Sequence, residues 1–147
     1  MYRGEGLGLE VLLVHPGGPF WAKKDFGAWS IPKGEYEADE DPLQAAIREF
    51  EEELGRAPPR SGYRDLGEIV QPSRKRLVAF AIAGDFDPPT LRSNLFEMEW
   101  PPKSGRRRSF PEVDRAQWFG ADDARKKILP GQAPFIDRLM ASNVPTE

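Results

Sequence analysis

The chain has 147 residues, a length that suits one domain with a single sizeable core. Charged residues make up 31% and hydrophobic ones 39%, the balance of a soluble globular protein, and no apolar run nears the roughly 20 residues of a membrane span. Cysteine is absent, which excludes disulfides and thiolate metal sites, and the net charge of -3 argues against a general nucleic-acid coat.

The first residues lack the basic-then-apolar pattern of a signal peptide, so a cytoplasmic location is expected. Residues 9–14 read as a buried strand, ended by Pro16, Gly17, Gly18 and Pro19, with His15, the lone histidine, as a turn residue. A loop at 26–31 leads into a short strand that Pro32 and Gly34 stop, and 35–40 is an acidic loop. A helix is expected over about 41–54, with Asp41 as N-cap, Pro42 in its first turn and Gly55 as its stop. After a connector at 57–62 come strands at 63–71, 77–83 and 93–100, with breaker-rich loops at 85–89 and 101–108. A last short strand at 117–119 precedes helices at 121–129 and 134–141, which Pro130 and Gly131 separate. There is no internal repeat or dividing linker, so the expectation is one α/β or α+β sandwich domain over 1–147.

The helix at 41–54 carries the chemistry. At about 100° per residue, Leu43, Ala46, Ile47, Phe50 and Leu54 share an apolar arc, and Glu49, Glu52 and Glu53 share a second arc beside it. Rows of acidic residues are ordinarily solvated helix faces. Three crowded carboxylates nevertheless repel one another, and a hard divalent cation with oxygen ligands offsets that cost. Mg²⁺ takes one or two carboxylates plus substrate phosphates, so this face suits a metal–diphosphate complex. Ala45 is small enough to leave room for ions below the glutamates, and Arg48 is placed to pair with one of them.

The segment from Gly34 to Gly55 resembles the Nudix signature. Gly34, Glu40, Arg48, Glu49, Phe50, Glu52, Glu53 and Gly55 match at the required spacing, and Arg56 departs where an aliphatic residue is usual. Seven fixed identities at a background near 7% each make chance agreement rare, on the order of one in a million per chain. The resemblance implies a Nudix-type α/β/α sandwich with a mixed sheet, and Mg²⁺, with Mn²⁺ as the alternative ion. It also implies Glu52 and Glu53 as main metal ligands with Glu49 as the third, Arg48 as the residue that orients a glutamate, Glu40 as support for the loop–helix junction, and Gly34 as the turn before it.

Outside that box, Trp29, Ser30, Ile31, Pro32 and Lys33 resemble the entry seen in Nudix enzymes acting on dinucleoside polyphosphates and diphosphoinositol phosphates. Lys33 is expected at the phosphates; Trp29 reads either as core packing or as a stacking surface. Those enzymes often place a metal-approaching glutamate six residues before a tryptophan, which implies Glu112 ahead of Trp118 as distal ligand or general base. Glu97 and Glu99, alternate residues of a strand, are rivals for that role. Gln71, Arg74, Lys75 and Arg76, and separately Arg106, Arg107 and Arg108, are candidates to reach polyphosphate oxygens, although such basic clusters are ordinarily solvated.

The expected activity is metal-dependent hydrolysis of a pyrophosphate bond in a nucleoside diphosphate linked to X, preferably a dinucleoside polyphosphate or nucleoside triphosphate. The alternatives are an RNA 5′-end pyrophosphohydrolase and a non-catalytic nucleotide-binding module. No membrane or nucleic-acid partner is expected. Relatives carry a further strand ahead of the residues matching 9–14, where only Met1, Tyr2 and Arg3 remain, so an uncovered edge and a homodimer are part of the expectation.

Overall fold

A strand buried on both faces must feed two apolar layers, and the alternation of side chains along 9–14 does this. In the computed structural model, which describes residues 1–33 and 39–142, the elements in chain order are β1 (Tyr2–Arg3), β2 (Glu10–Pro16), α1 (Pro42–Leu54), β3 (Arg64–Val70), β4 (Arg76–Ala81), β5 (Leu95–Glu99), β6 (Arg107–Pro111), β7 (Val113–Gly120), α2 (Ala121–Lys127) and α3 (Ala133–Ser142). Val11 and Leu13 of β2 join Phe119, Ala124, Ile136 and Leu139, which ties the sheet to α2 and α3. Leu12 and Val14 point the other way, into Phe50 and Leu54 of α1 and Val113 and Ala116 of β7. Helices therefore cover both faces, and the architecture is an α/β/α sandwich.

β2 pairs antiparallel with β7 on one side and with β1 on the other. A parallel bridge from Tyr2 to Ala83 carries the sheet on toward the antiparallel β3–β4 pair, with Tyr2 N–H on the Ile82 carbonyl and Gly84 N–H on the Tyr2 carbonyl, both at 3.0 Å. The paired strands are all antiparallel, and this isolated bridge is the parallel link between β1 and the residues after β4. The Leu12 N–H also donates to the Met1 carbonyl at 3.0 Å, so Met1 to Arg3 cover the edge of β2 whose exposure motivated the expected strand sharing.

One expectation is corrected. Residues 107–111, divided in the sequence reading between a loop and unassigned chain, form β6, which pairs with β5 as a separate two-stranded ribbon. Phe96 stands opposite Phe110 with ring centroids 6.0 Å apart, and Glu97 reaches Arg107 at 3.7 Å. Cross-strand pairs of this kind outweigh the weak strand propensity of an arginine run.

The ends of α1 follow from local chemistry. The Asp41 carboxylate accepts from the Gln44 N–H at 3.1 Å, and Pro42 occupies the first turn, where no N–H is needed. Gly55 closes the helix at φ 79 and donates to the Glu51 carbonyl at 2.7 Å. A Cβ there would lie 2.5 Å from the Arg92 carbonyl oxygen. Gly55→Ala is expected to lower unfolding free energy by about 1–2 kcal/mol from the left-handed conformation alone, read in urea titrations, with the Arg92 contact adding to the loss.

Candidate active site

The packing of α1 decides which of its glutamates face solvent and which are half-buried. Ala45, Phe50 and Leu54 are buried against the sheet, and Glu49 lies at the edge of that face with only 9% exposed. Ala45 at 3% exposure is a packing residue of the apolar face and borders an apolar cavity, so it does not lie open below the glutamates as the helix wheel suggested. Leu43, Ala46 and Ile47 are half-buried, and Ala46 and Ile47 border a small apolar cavity of about 100 Å³ between α1 and β4.

Arg48 links three carboxylates. Its Nε and Nη2 donate to the two oxygens of Glu40 at 3.1 Å each, and its Nη1 donates to Glu49 at 2.8 Å and to Glu52 at 3.3 Å. The guanidinium fork suits this arrangement, because its donors are fixed in one plane. These contacts hold its proton more tightly than usual, the Glu40 hydrogen bonds first. Glu40 joins the loop before the helix to the helix itself. Gly34 lies outside the described residues.

Glu53 has a different environment. Its Oε2 accepts the Lys33 backbone N–H at 3.0 Å. Burial pushes its carboxyl up to about 8; the Lys33 hydrogen bond acts against this, and the negative charges of Glu49 and Glu112 add to it. Glu49 is also raised, by burial first, with Arg48 opposing and Glu52 and Glu112 contributing. Glu112 is therefore close enough to influence both helix carboxylates, although about 60 residues separate it from them in the chain.

A cleft of about 210 Å³ brings Lys33, Glu53 and Glu112 together with Pro16, Trp21 and Leu129. Its far wall is the loop after β2, and that loop is tied down. The Gly17 N–H donates to the Glu112 carbonyl at 2.9 Å, and the Lys24 N–H donates to the Trp21 carbonyl at 2.9 Å. His15 is fully buried, with Nδ1 2.8 Å from an Asp114 oxygen and Nε2 2.6 Å from the Lys24 carbonyl. His15 is thus more than a turn residue: it joins β7 to the loop that carries Trp21. Sequence reasoning passed over Trp21, and the available signal was an aromatic pair, Phe20 and Trp21, inside an otherwise polar, breaker-rich loop.

Other candidates stand elsewhere. Trp29 is 1% exposed, edge-on to His15 and Phe119, with its N–H on Asp25 at 2.8 Å; it is a core residue and offers no surface for a substrate to stack on. Gln71, Lys75 and Arg76 sit at the β3–β4 turn, where the Gln71 N–H donates to the Lys75 carbonyl and Arg76 approaches Glu68 at 3.5 Å; they do not line the cleft. Arg74 shares that turn with φ 68. Glu97 and Glu99 do share one exposed face of β5, but that face meets Arg107 and not the cleft. Arg106, Arg107 and Arg108 are exposed on the ribbon.

The donor set is all carboxylate oxygen. Among the described residues no three acidic or histidine side chains converge tightly enough to hold an ion unaided. Mg²⁺ fits such a set, because it takes few protein ligands and completes its shell with water and phosphate. Glu49 has Arg48 as its partner, whereas Glu53 is driven toward its neutral form first by burial and further by the charges of Glu49 and Glu112, an environment that a cation would relieve. No helix among the described residues is long and apolar enough to cross a membrane.

Comparison with known proteins agrees with this fold. The fold is shared with the NUDIX domain of Shewanella oneidensis NrtR in complex with ADP ribose, at TM-score 0.63 and 18% identity over 97% of this chain and 83% of that one. It is also shared with a C. elegans Ap4A hydrolase, at TM-score 0.60 and 20% identity over 96% and 92%, and with the E. coli ORF135 protein, at 0.53 and 21% over 95% and 87%. No curated protein matches the chain in sequence. The NUDIX domain pattern matches residues 1–139, nearly the whole length, and the chain belongs to the Nudix hydrolase family.

Proposed function

We propose that the protein is a Mg²⁺-dependent pyrophosphohydrolase acting on a nucleoside diphosphate linked to X, with a dinucleoside polyphosphate or nucleoside triphosphate as the preferred substrate. The observation that carries this reading is the meeting of Glu53 and Glu112 beside Lys33 at one cleft, with Glu49 near enough to act on the Glu53 carboxyl, which is pushed up to about 8. The ADP-ribose-bound domain and the Ap4A hydrolase among the fold neighbours support a substrate with linked phosphates.

In this reading Glu49, Glu52, Glu53 and Glu112 hold the metal, Mg²⁺ or Mn²⁺. When bound, the cation supplies charge neutralisation at the phosphates and acidifies water for attack on phosphorus. The Lys33 ammonium binds a phosphate oxygen as a point charge. A Glu112 carboxylate oxygen takes the proton from the attacking water, as its exposed place on the cleft rim allows. Arg48 positions Glu49 and Glu52, so its part is to hold their rotamers. The domain spans 1–147 and works in the cytoplasm.

The test is phosphate-product release across nucleoside triphosphates, dinucleoside polyphosphates, ADP-ribose, diphosphoinositol phosphates and 5′-triphosphate RNA. Turnover of one of the first two classes with Mg²⁺, lost on adding EDTA and restored by excess Mg²⁺, is the expected result. Turnover of the RNA alone would move the assignment to 5′-end processing, and turnover that persists in EDTA would remove the metal.

A further inference from the structure

We propose that Trp21 is the wall on which the nucleobase of the substrate stacks, which makes it a specificity-determining residue; this rests on the pyrophosphohydrolase reading above. The cleft has two chemistries. Lys33, Glu53 and Glu112 provide its charged part, and Trp21, Leu129 and Pro16 its apolar part. A phosphate chain belongs with the first, and a flat, weakly polar group attached to that chain belongs with the second.

Trp21 is also the tryptophan without an aromatic or hydrogen-bond partner among the described residues, its ring meeting only the Lys24 ammonium at 4.9 Å. Trp29 packs on His15 and Phe119, Trp100 meets Phe20 edge-on at 5.5 Å, and Trp118 lies under Arg3 at 4.1 Å with its N–H on the Phe86 carbonyl. The indole is half-buried, the Trp21 carbonyl accepts the Lys24 N–H, and the loop on either side is tied by His15 on the Lys24 carbonyl and by Gly17 on the Glu112 carbonyl. A loop held in place before binding loses less entropy when a base settles on its aromatic side chain.

The experiment compares equilibrium binding of ADP and of inorganic pyrophosphate, each with Mg²⁺, to wild type, Trp21→Leu and Trp21→Phe, alongside turnover of the preferred nucleotide. The two probes differ only in adenosine. Trp21→Leu is expected to weaken ADP about tenfold, with pyrophosphate within about twofold of wild type; Trp21→Phe keeps ADP within about threefold. KM for the nucleotide rises with the loss of ADP affinity while kcat changes little. Unchanged ADP affinity in Trp21→Leu overturns the stacking role, and equal weakening of both probes assigns Trp21 to loop support instead. If wild type binds ADP through Trp21 but hydrolyses nothing in the panel, the hydrolase reading falls and the stacking role stands. If wild type binds neither probe, both fall.

Discussion

Glu53→Gln is expected to lower kcat by about 100-fold or more while the metal-free protein at pH 8 becomes no less stable than wild type. The two halves of this result have one cause. Glu53 is half-buried beside Glu49 and Glu112, so its carboxylate form is disfavoured until a cation joins it. Its carboxyl lies at about 8 in the folded chain against an ordinary 4.5. Between those values the folded protein keeps a proton that the unfolded chain has released, so stability falls as pH rises through the window and levels off above about 8. Glutamine has no proton to lose and keeps an oxygen for the Lys33 N–H. Thermal melts of metal-free wild type from pH 5 to pH 8.5 should therefore slope downward, those of Glu53→Gln should slope less, and Mg²⁺ should flatten the wild-type curve. A wild-type melting temperature that rises across this range would show that the buried carboxyl is ionised throughout.

Gly17→Ala is expected to damage both stability and turnover, although Gly17 carries no functional group. A Cβ at this position would fall 1.9 Å from the Pro111 carbonyl oxygen, and the backbone cannot yield as a flexible side chain would. The loop after β2 must then separate from the β6–β7 junction, which breaks the Gly17 N–H bond to the Glu112 carbonyl. Overpacking of this kind costs about 1–3 kcal/mol. Displacing Glu112 by even about 1 Å relative to Glu53 costs about 100-fold in kcat. Urea titration and steady-state kinetics read the two effects. Gly18→Ala would test the neighbouring glycine through a different contact, the Phe96 ring at 2.9 Å, and serves as the comparison. Full activity in Gly17→Ala would mean that the placement of Glu112 does not depend on this contact.

Much of the fold was legible because it rests on short-range periodicity. The helix from Pro42 to Leu54, with its Asp41 cap and Gly55 stop, follows from residues within one turn of each end. The buried strand before His15 follows from an unbroken apolar run. β6 was not legible, since three arginines in a row are read as loop until Phe110 and Ser109 find Phe96 and Glu97 across the ribbon.

The sequence by itself determined the family and the carboxylate row of α1, because both depend on spacing along one helix and on eight matched positions. Only the tertiary structure decided which glutamates share a cleft. It brought Glu112 to Glu53, left Glu97 and Glu99 on the outer face of a ribbon, and buried Trp29 while leaving Trp21 at the cleft. The physical reason is that a side chain's reach is set by strand register and loop closure, which join residues distant in the chain, whereas helical spacing is set by the backbone alone.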